Sequence, residues 1–236
     1  MIVPFKASLL ASLCDFWNET FADRRHFTPM TKTRWRERIG VERLLLAVAG
    51  KRVVGMIHMG EWSEGECKRR FSGWPRGRMG IVMMLGVLPS KRRKGTGTRL
   101  WHAGRDAVKG VEQITLHPGV YAGTPPLWGT PTGPAVSWSD SRTRKFLGER
   151  GCGPRAKAMT MAIDLPAALP AMRVKTVEVA PGIQAIVGNG RTPLASIEAR
   201  SIEVLTYPET DTRGHARYQR AGFVKVADWA LYNHGE

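Results

Sequence analysis

The sequence predicts a fold of the α/β (mixed α+β) class, and three observations carry that reading. Residues 79–89, MGIVMMLGVLP, form a continuous apolar run ended by a proline, as in a strand buried on both faces. Near Gly97 the pattern changes to helical spacing, with Leu100, Trp101, Gly104, Ala107 and Val108 on one face. Upstream, LLLAVAG (44–50) and KRVVGMIHMG (51–60) are two strand patterns joined at Gly50-Lys51, a tight hairpin connection.

The remaining elements follow in order. Residues 6–19 place Leu9, Leu10, Leu13, Phe16 and Trp17 at helical spacing, and a short helix is expected at 32–39 after the Thr28-Pro29 break. The polar, glycine-containing stretch 61–78 reads as a loop. After the helix from Gly97, EQITLHP (112–118) is the next strand, and the Gly/Pro/Thr-rich stretch 119–138 is a long loop. Ser139 or Asp140 can cap a helix over 141–150, stopped by Gly151, and 156–165 is a strand. LPAALPAM (165–172) has the composition of a linker. Beyond it come the strand-like VKTVEVA, IQAIVG and SIEARSIEVLTYP, a helix over 212–221 and a strand over 224–232. One internal repeat is visible. RKFLGERGCGPRAKAMTMAI lies over HARYQRAGFVKVADWALYNH when Gly151 is aligned with Gly222, and both read helix, glycine, strand.

Composition narrows the class. The chain has 236 residues, 42% apolar and 24% charged, ordinary for a soluble globular protein. No apolar run nears the roughly 20 residues that span a bilayer, so no membrane role is expected. The N-terminus meets Asp15 and Glu19 too early for a signal peptide. Cys14, Cys67 and Cys152 are far apart and form no disulfide framework, which points to the cytoplasm, and no histidine or cysteine spacing suits a metal. The net charge is +16, and it is uneven: residues 1–165 hold 28 basic and 13 acidic residues, residues 166–236 only 8 and 7. The first part therefore expects an anionic partner.

The chemistry-bearing segment is Val87-x-Pro89-x-x-Arg92-x-x-Gly95-x-Gly97. A strand ends, a basic turn follows, and a helix starts. Glycines allow a tight turn, and the free amides of a helix start favour an anion, so the segment predicts a phosphate site. Neither the Walker pattern nor the Rossmann pattern is present.

This segment resembles the Arg/Gln-x-x-Gly-x-Gly/Ala motif of the GNAT superfamily, the acyl-CoA-dependent N-acyltransferases. The order of elements over 6–165 is also similar to that family's, and ARYQRAGFVKVADWALY resembles its closing helix and strand. The resemblance implies a central mixed, mostly antiparallel sheet flanked by helices at 1–165. It further implies a linker at 166–170 and a truncated copy without a phosphate loop at 171–236. It implies acetyl-CoA as cosubstrate, with its pyrophosphate held by Arg92, Arg93, Lys94, Gly95, Thr96, Gly97 and Thr98 and its arm lined by Leu85, Gly86 and Val87. The reaction it implies is acetyl transfer to a primary amine of a small molecule or peptide, by direct attack on the thioester.

Family members use a base for the amine and a tyrosine for the departing thiolate. Here the tyrosine position before Gly151 is Leu147, whereas Tyr218 fits in the second copy. The central strand has no acid, so Glu61 is the candidate base and Tyr218 the candidate acid; each also fits a plain structural role. Two other readings stay open: an acyltransferase that binds CoA without turnover, and a basic nucleic-acid-binding module built on the runs 24–25 and 68–70 with Phe71 and Trp74. The strand edges of the short copy also leave a homo-oligomer open.

Overall fold

The structure is a computed structural model. It describes residues 1–24, 26–38, 43–70, 77–111, 113–116, 135–165, 167–169 and 171–234. The chain forms two compact units: Met1–Arg24, Thr28–Leu116 and His234–Glu236 make the first, and Arg25–Phe27 with His117–Asn233 make the second. This division by contact falls at a different place from the repeat-based division at 166–170.

The first unit is a sheet in the order β1 (Ile2–Pro4), β2 (Leu44–Ala49), β3 (Arg52–Trp62), β4 (Met79–Val87), β5 (Gln113–Leu116). The β4–β5 pair is parallel and the others are antiparallel. Gly50, at φ +60°, makes the expected two-residue hairpin between β2 and β3. The edge strand β1 has no counterpart in the sequence reading; three residues are too few for a period.

Helix α1 (Leu10–Phe21) covers one face of this sheet and follows a short 3-10 turn at Ala7–Leu9, so the expected helix begins later and runs further. Its Phe16 and Phe21 press on Gly86 so closely that a Cβ there would lie 2.6 Å from Phe21 Cζ. Helix α2 (Lys32–Arg38) sets Trp35 edge-on to Trp17 at 5.6 Å. The expected loop 61–78 contains a helix, α3 (Glu64–Arg70). Its start is a capping box: Ser63 N donates to Glu66 Oε2 at 2.8 Å, and Glu66 N donates to Ser63 Oγ at 3.3 Å. The polar composition hides it, because among the described side chains of α3 only Cys67 is buried. Helix α4 (Thr96–Ala107) covers the other face of the sheet with Leu100, Trp101 and Gly104 buried. A Cβ on Gly104 would sit 2.5 Å from Ile57 Cδ1, so the helix lies close to β3.

In the second unit the order is β12 (Val224–His234), β7 (Cys152–Asp164), β11 (Ser201–Thr206), β9 (Ile183–Asn189), β8 (Arg173–Ala180), β10 (Thr192–Pro193), with β6 (Val136–Ser137) on β12. Helix α5 (Ser141–Gly148) is capped by Asp140, which accepts from Thr143 N at 3.0 Å. Helix α6 (Thr212–Arg220) is capped by Asp211, which accepts from Gly214 N at 2.9 Å. Most of the expected loop 119–138 lies outside the described residues. The expected strand SIEARSIEVLTYP is a strand only from Ser201, after a 3-10 turn at Leu194–Ser196.

Among the described pairings each unit has one parallel strand pair, and the two crossovers differ. In the first unit, residues 88–112 carry a loop and the twelve-residue α4. In the second, residues 190–200 connect β9 to the parallel β11 with only β10 and the 3-10 turn. The core beneath α6 gathers Met161, Ile163, Val174, Ile186, Leu194, Ile202, Val204 and Phe223.

Candidate functional site

The site of the first unit is built where β4 ends and α4 begins. Among the described residues β4 pairs with β5 at Met79, Gly80 and Ile81, opposite Gln113, Ile114 and Thr115. Among the described residues, its second half, Val82–Val87, is paired on the β3 side alone. A register shift between His58 and Met59 leaves Met83 without a partner on β3, a bulge that bends β4 where it leaves β5. Leu85, Gly86 and Val87 lie in this open half, paired to Ile57, Met56 and Gly55. Leu85 and Val87 are half-buried.

The chain then turns through Pro89–Lys91. Arg92 Nε donates to the Val87 carbonyl at 2.9 Å. Arg93 has φ +59° and Gly95 φ +73°, so the backbone reverses twice within three residues. The left-handed region suits glycine but strains an arginine, and such strain gathers at functional sites. Gly95 caps α4 without a side chain, so the amides of Thr96 and Gly97 receive no side-chain cap. Arg99 braces the turn: Nη1 donates to the Lys94 carbonyl at 3.5 Å and Nη2 to Thr96 Oγ1 at 3.3 Å. Lys91, Arg92, Arg93 and Lys94 are exposed around it. Uncapped amides, a helix dipole and four cations at one turn make a receptor for a phosphate-bearing ligand. The predicted residues from Leu85 to Val87 and from Arg92 to Thr98 are thus contiguous in space.

Glu61 is placed elsewhere. It pairs with Gly80 at the far half of β4, two residues past Met59, where the register shifts. Both its oxygens are engaged: Arg78 Nη1 is 2.6 Å from Oε1 and Arg43 Nη2 is 2.9 Å from Oε2. Arg78 also donates to the Lys109 and Gly110 carbonyls at 3.3 Å, joining the start of β4 to the end of α4. Tyr218 belongs to the second unit. Its ring meets Phe223 at 5.2 Å and packs on the core beneath α6, and burial pushes its phenol above the ordinary range. Sequence reasoning missed the bulge at Met83 and the Arg78 clamp. Neither leaves a local signature, since both depend on pairing across strands.

Among the described residues no group of three or more His, Cys, Asp or Glu could hold a metal ion, and no helix is long and apolar enough to cross a membrane.

A mixed sheet whose strand β4 leads through a basic turn into α4 is a fold shared with GNAT proteins. Residues 10–121 match the acetyltransferase (GNAT) family, and this part of the chain is a GNAT-family domain. Solved structures carry the same fold. A GCN5-related N-acetyltransferase from Sphaerobacter thermophilus is 12% identical, with TM-score 0.58 over 99% of this chain and 94% of that one. A tandem GNAT protein from the clavulanic acid biosynthesis pathway is 14% identical, with TM-score 0.60 over 99% and 97%. A glucosamine N-acetyltransferase region of a fungal multi-domain β-N-acetylglucosaminidase is 14% identical, with TM-score 0.66 over 99% of this chain; the chain spans 38% of that protein's length. No curated protein matches the sequence.

Proposed function

We propose that the first unit binds acetyl-CoA and transfers its acetyl group to a primary amine of a small molecule or a peptide. One observation carries this: the uncapped start of α4, with its cations, stands directly after the open half of β4. A pyrophosphate suits the first and an extended arm suits the second. Acetyl-CoA would supply an activated thioester. Arg92, Arg93, Lys94, Gly95, Thr96, Gly97 and Thr98 would hold its phosphates through amides and charge, and Leu85, Gly86 and Val87 would line its arm. Backbone N–H groups on the unpaired edge of β4 would orient the thioester carbonyl and polarise it. The proposal gives Glu61 and Tyr218 no proton-transfer role. The first has both oxygens on guanidinium groups, and the second is packed in the core of the second unit.

The short crossover at 190–200 supports residues 171–236 as a truncated copy without a phosphate loop. One CoA site per chain is then expected. The three cysteines are free and buried, which suits a reducing, cytoplasmic setting. Calorimetric titration with CoA tests the reading. One site per chain and a raised melting temperature support it; no binding, or two sites, overturns it. Release of free thiol from acetyl-CoA across a panel of primary amines separates an active enzyme from a silent CoA binder.

A further inference from the structure

The CoA loop accounts for only one end of a longer cationic surface. Lys91, Arg93, Lys94, Arg99, Arg105 and Lys109 are all exposed, with His102 among them and Asp106 the one carboxylate in the run. Arg99, His102 and Arg105 recur every three residues, which keeps them on one side of α4, within about 120° of arc. Among the described residues, none of the six cations is joined to a carboxylate, whereas Arg52, Arg78 and Lys68 of the same unit are paired with Glu19, Glu61 and Glu64. Unpaired like charges on one face repel each other and are compensated only by an anion from outside.

The far end carries the same surplus. A cavity of about 390 Å³ is lined by Arg105, Asp106, Lys109 and His234 over a floor of Val108 and Ile114. Burial and then the charge of Arg105 hold the His234 imidazole below its ordinary range. Arg105 lies nine residues beyond Thr96, about 14 Å along the helix, away from the turn where the CoA phosphates are proposed to sit.

We propose that the solvent face of α4, from Lys91 to Lys109, is a track for the phosphodiester backbone of a nucleic acid. The twelve residues of α4 span about 18 Å, the axial rise of about five base pairs of a duplex. A membrane surface fits less well. The apolar face of α4 is already buried in the core, and the exposed large apolar side chains of the described residues, Met1, Val224 and Val226, are not on α4.

The test is fluorescence anisotropy with the full chain. The probes are a labelled 16-nucleotide single-stranded RNA, a DNA duplex of equal length, and polyglutamate, at 50 and 200 mM salt, with and without saturating CoA. Binding of RNA or DNA that persists with CoA and weakens at least tenfold at the higher salt is expected; the two probes distinguish the source of the phosphates. Arg105→Glu with Lys109→Glu should weaken it at least tenfold, and the neutral pair Arg105→Gln with Lys109→Gln should weaken it by less. Both should leave the CoA-induced melting shift unchanged. Arg213→Glu with Arg220→Glu, exposed on α6, should change it less than twofold. The proposal fails if no nucleic acid binds at 50 mM salt, if CoA displaces it fully, if the α6 pair has an equal effect, or if polyglutamate binds as tightly. CoA binding is read separately by melting, so either proposal can fail alone.

Discussion

Arg92 ties the phosphate turn to the strand that precedes it: its Nε donates to the carbonyl of Val87 at 2.9 Å, joining the turn to the last residue of β4. A hydrogen bond from a charged donor is worth about 1.5–3 kcal/mol, and 1.4 kcal/mol is tenfold in affinity. Arg92→Ala should therefore weaken CoA binding about tenfold or more by calorimetry. Arg92→Lys keeps the charge but has no Nε, so it should recover only a small part of the loss. Full recovery would mean that charge alone matters and the Val87 contact does not.

Two glycines near this turn should fail in different ways. Gly95 stands at φ +73°, and forcing an L side chain into that region costs about 1–2 kcal/mol. Gly104 has ordinary φ but no room, with Ile57 Cδ1 2.5 Å from any Cβ, and overpacking costs about 1–3 kcal/mol. Gly95→Ala and Gly104→Ala should both lower the melting temperature by several degrees. Only Gly95→Ala should also weaken CoA, because it alone moves the amides of the turn.

The sequence carried the strand–turn–helix at 79–108 clearly, because its signals are local: an apolar run, Pro89, then Arg92, Gly95 and Gly97 at set spacing. The helix α3 was equally local in its Ser63–Glu66 box, yet it was missed. The segment EGECKRR has a single apolar residue, Cys67, and so shows almost no apolar period. The bulge at Met83 and the two guanidinium partners of Glu61 were not legible at all. Met83 is one of five apolar residues in a row, and nothing in IVMML says which one is left out of register. Arg43 and Arg78 reach Glu61 from 18 and 17 positions away, so an acid that reads as a free base candidate is in fact clamped.

That clamp makes Glu61 a test of structure against chemistry. Glu61→Gln removes the charge from a carboxylate that is 13% exposed and shared by two guanidinium groups. Losing charge-assisted bonds of this kind should cost about 1–3 kcal/mol of stability, seen in urea denaturation. CoA affinity should stay within twofold. A turnover loss of a hundredfold or more with unchanged stability would instead make Glu61 the base.

Tyr207 sets an alkaline limit on the fold. Burial pushes its phenol up to about 12, from an ordinary 10. The folded state then binds the proton more tightly than the unfolded chain. Its contribution is full below pH 10 and is lost as the pH rises toward 12, with a ceiling of about 2 kcal/mol for a side chain that is not fully enclosed. Stability measured by denaturant should fall across that window. Tyr207→Phe should flatten this part of the profile while leaving the neutral-pH CoA affinity unchanged.

The second unit holds a more costly pair. Glu203, on β11 between Ala162 and Ala185 of the neighbouring strands, has a 1% exposed side chain. His26 Nε2 lies 3.0 Å from its Oε2, is 3% exposed, and comes from a backbone held at φ +56°. A carboxylate buried in the sheet is expensive without its partner, and breaking a buried ion pair costs about 3–5 kcal/mol. His26→Asn removes the imidazole and still tolerates the left-handed backbone, so its loss should report the pair and not the strain. Glu203→Leu with His26→Asn leaves no buried carboxylate. It should be more stable than His26→Asn alone, by at least 1 kcal/mol in urea denaturation. If the two losses simply add, the residues are not coupled and the 3.0 Å contact contributes nothing of its own.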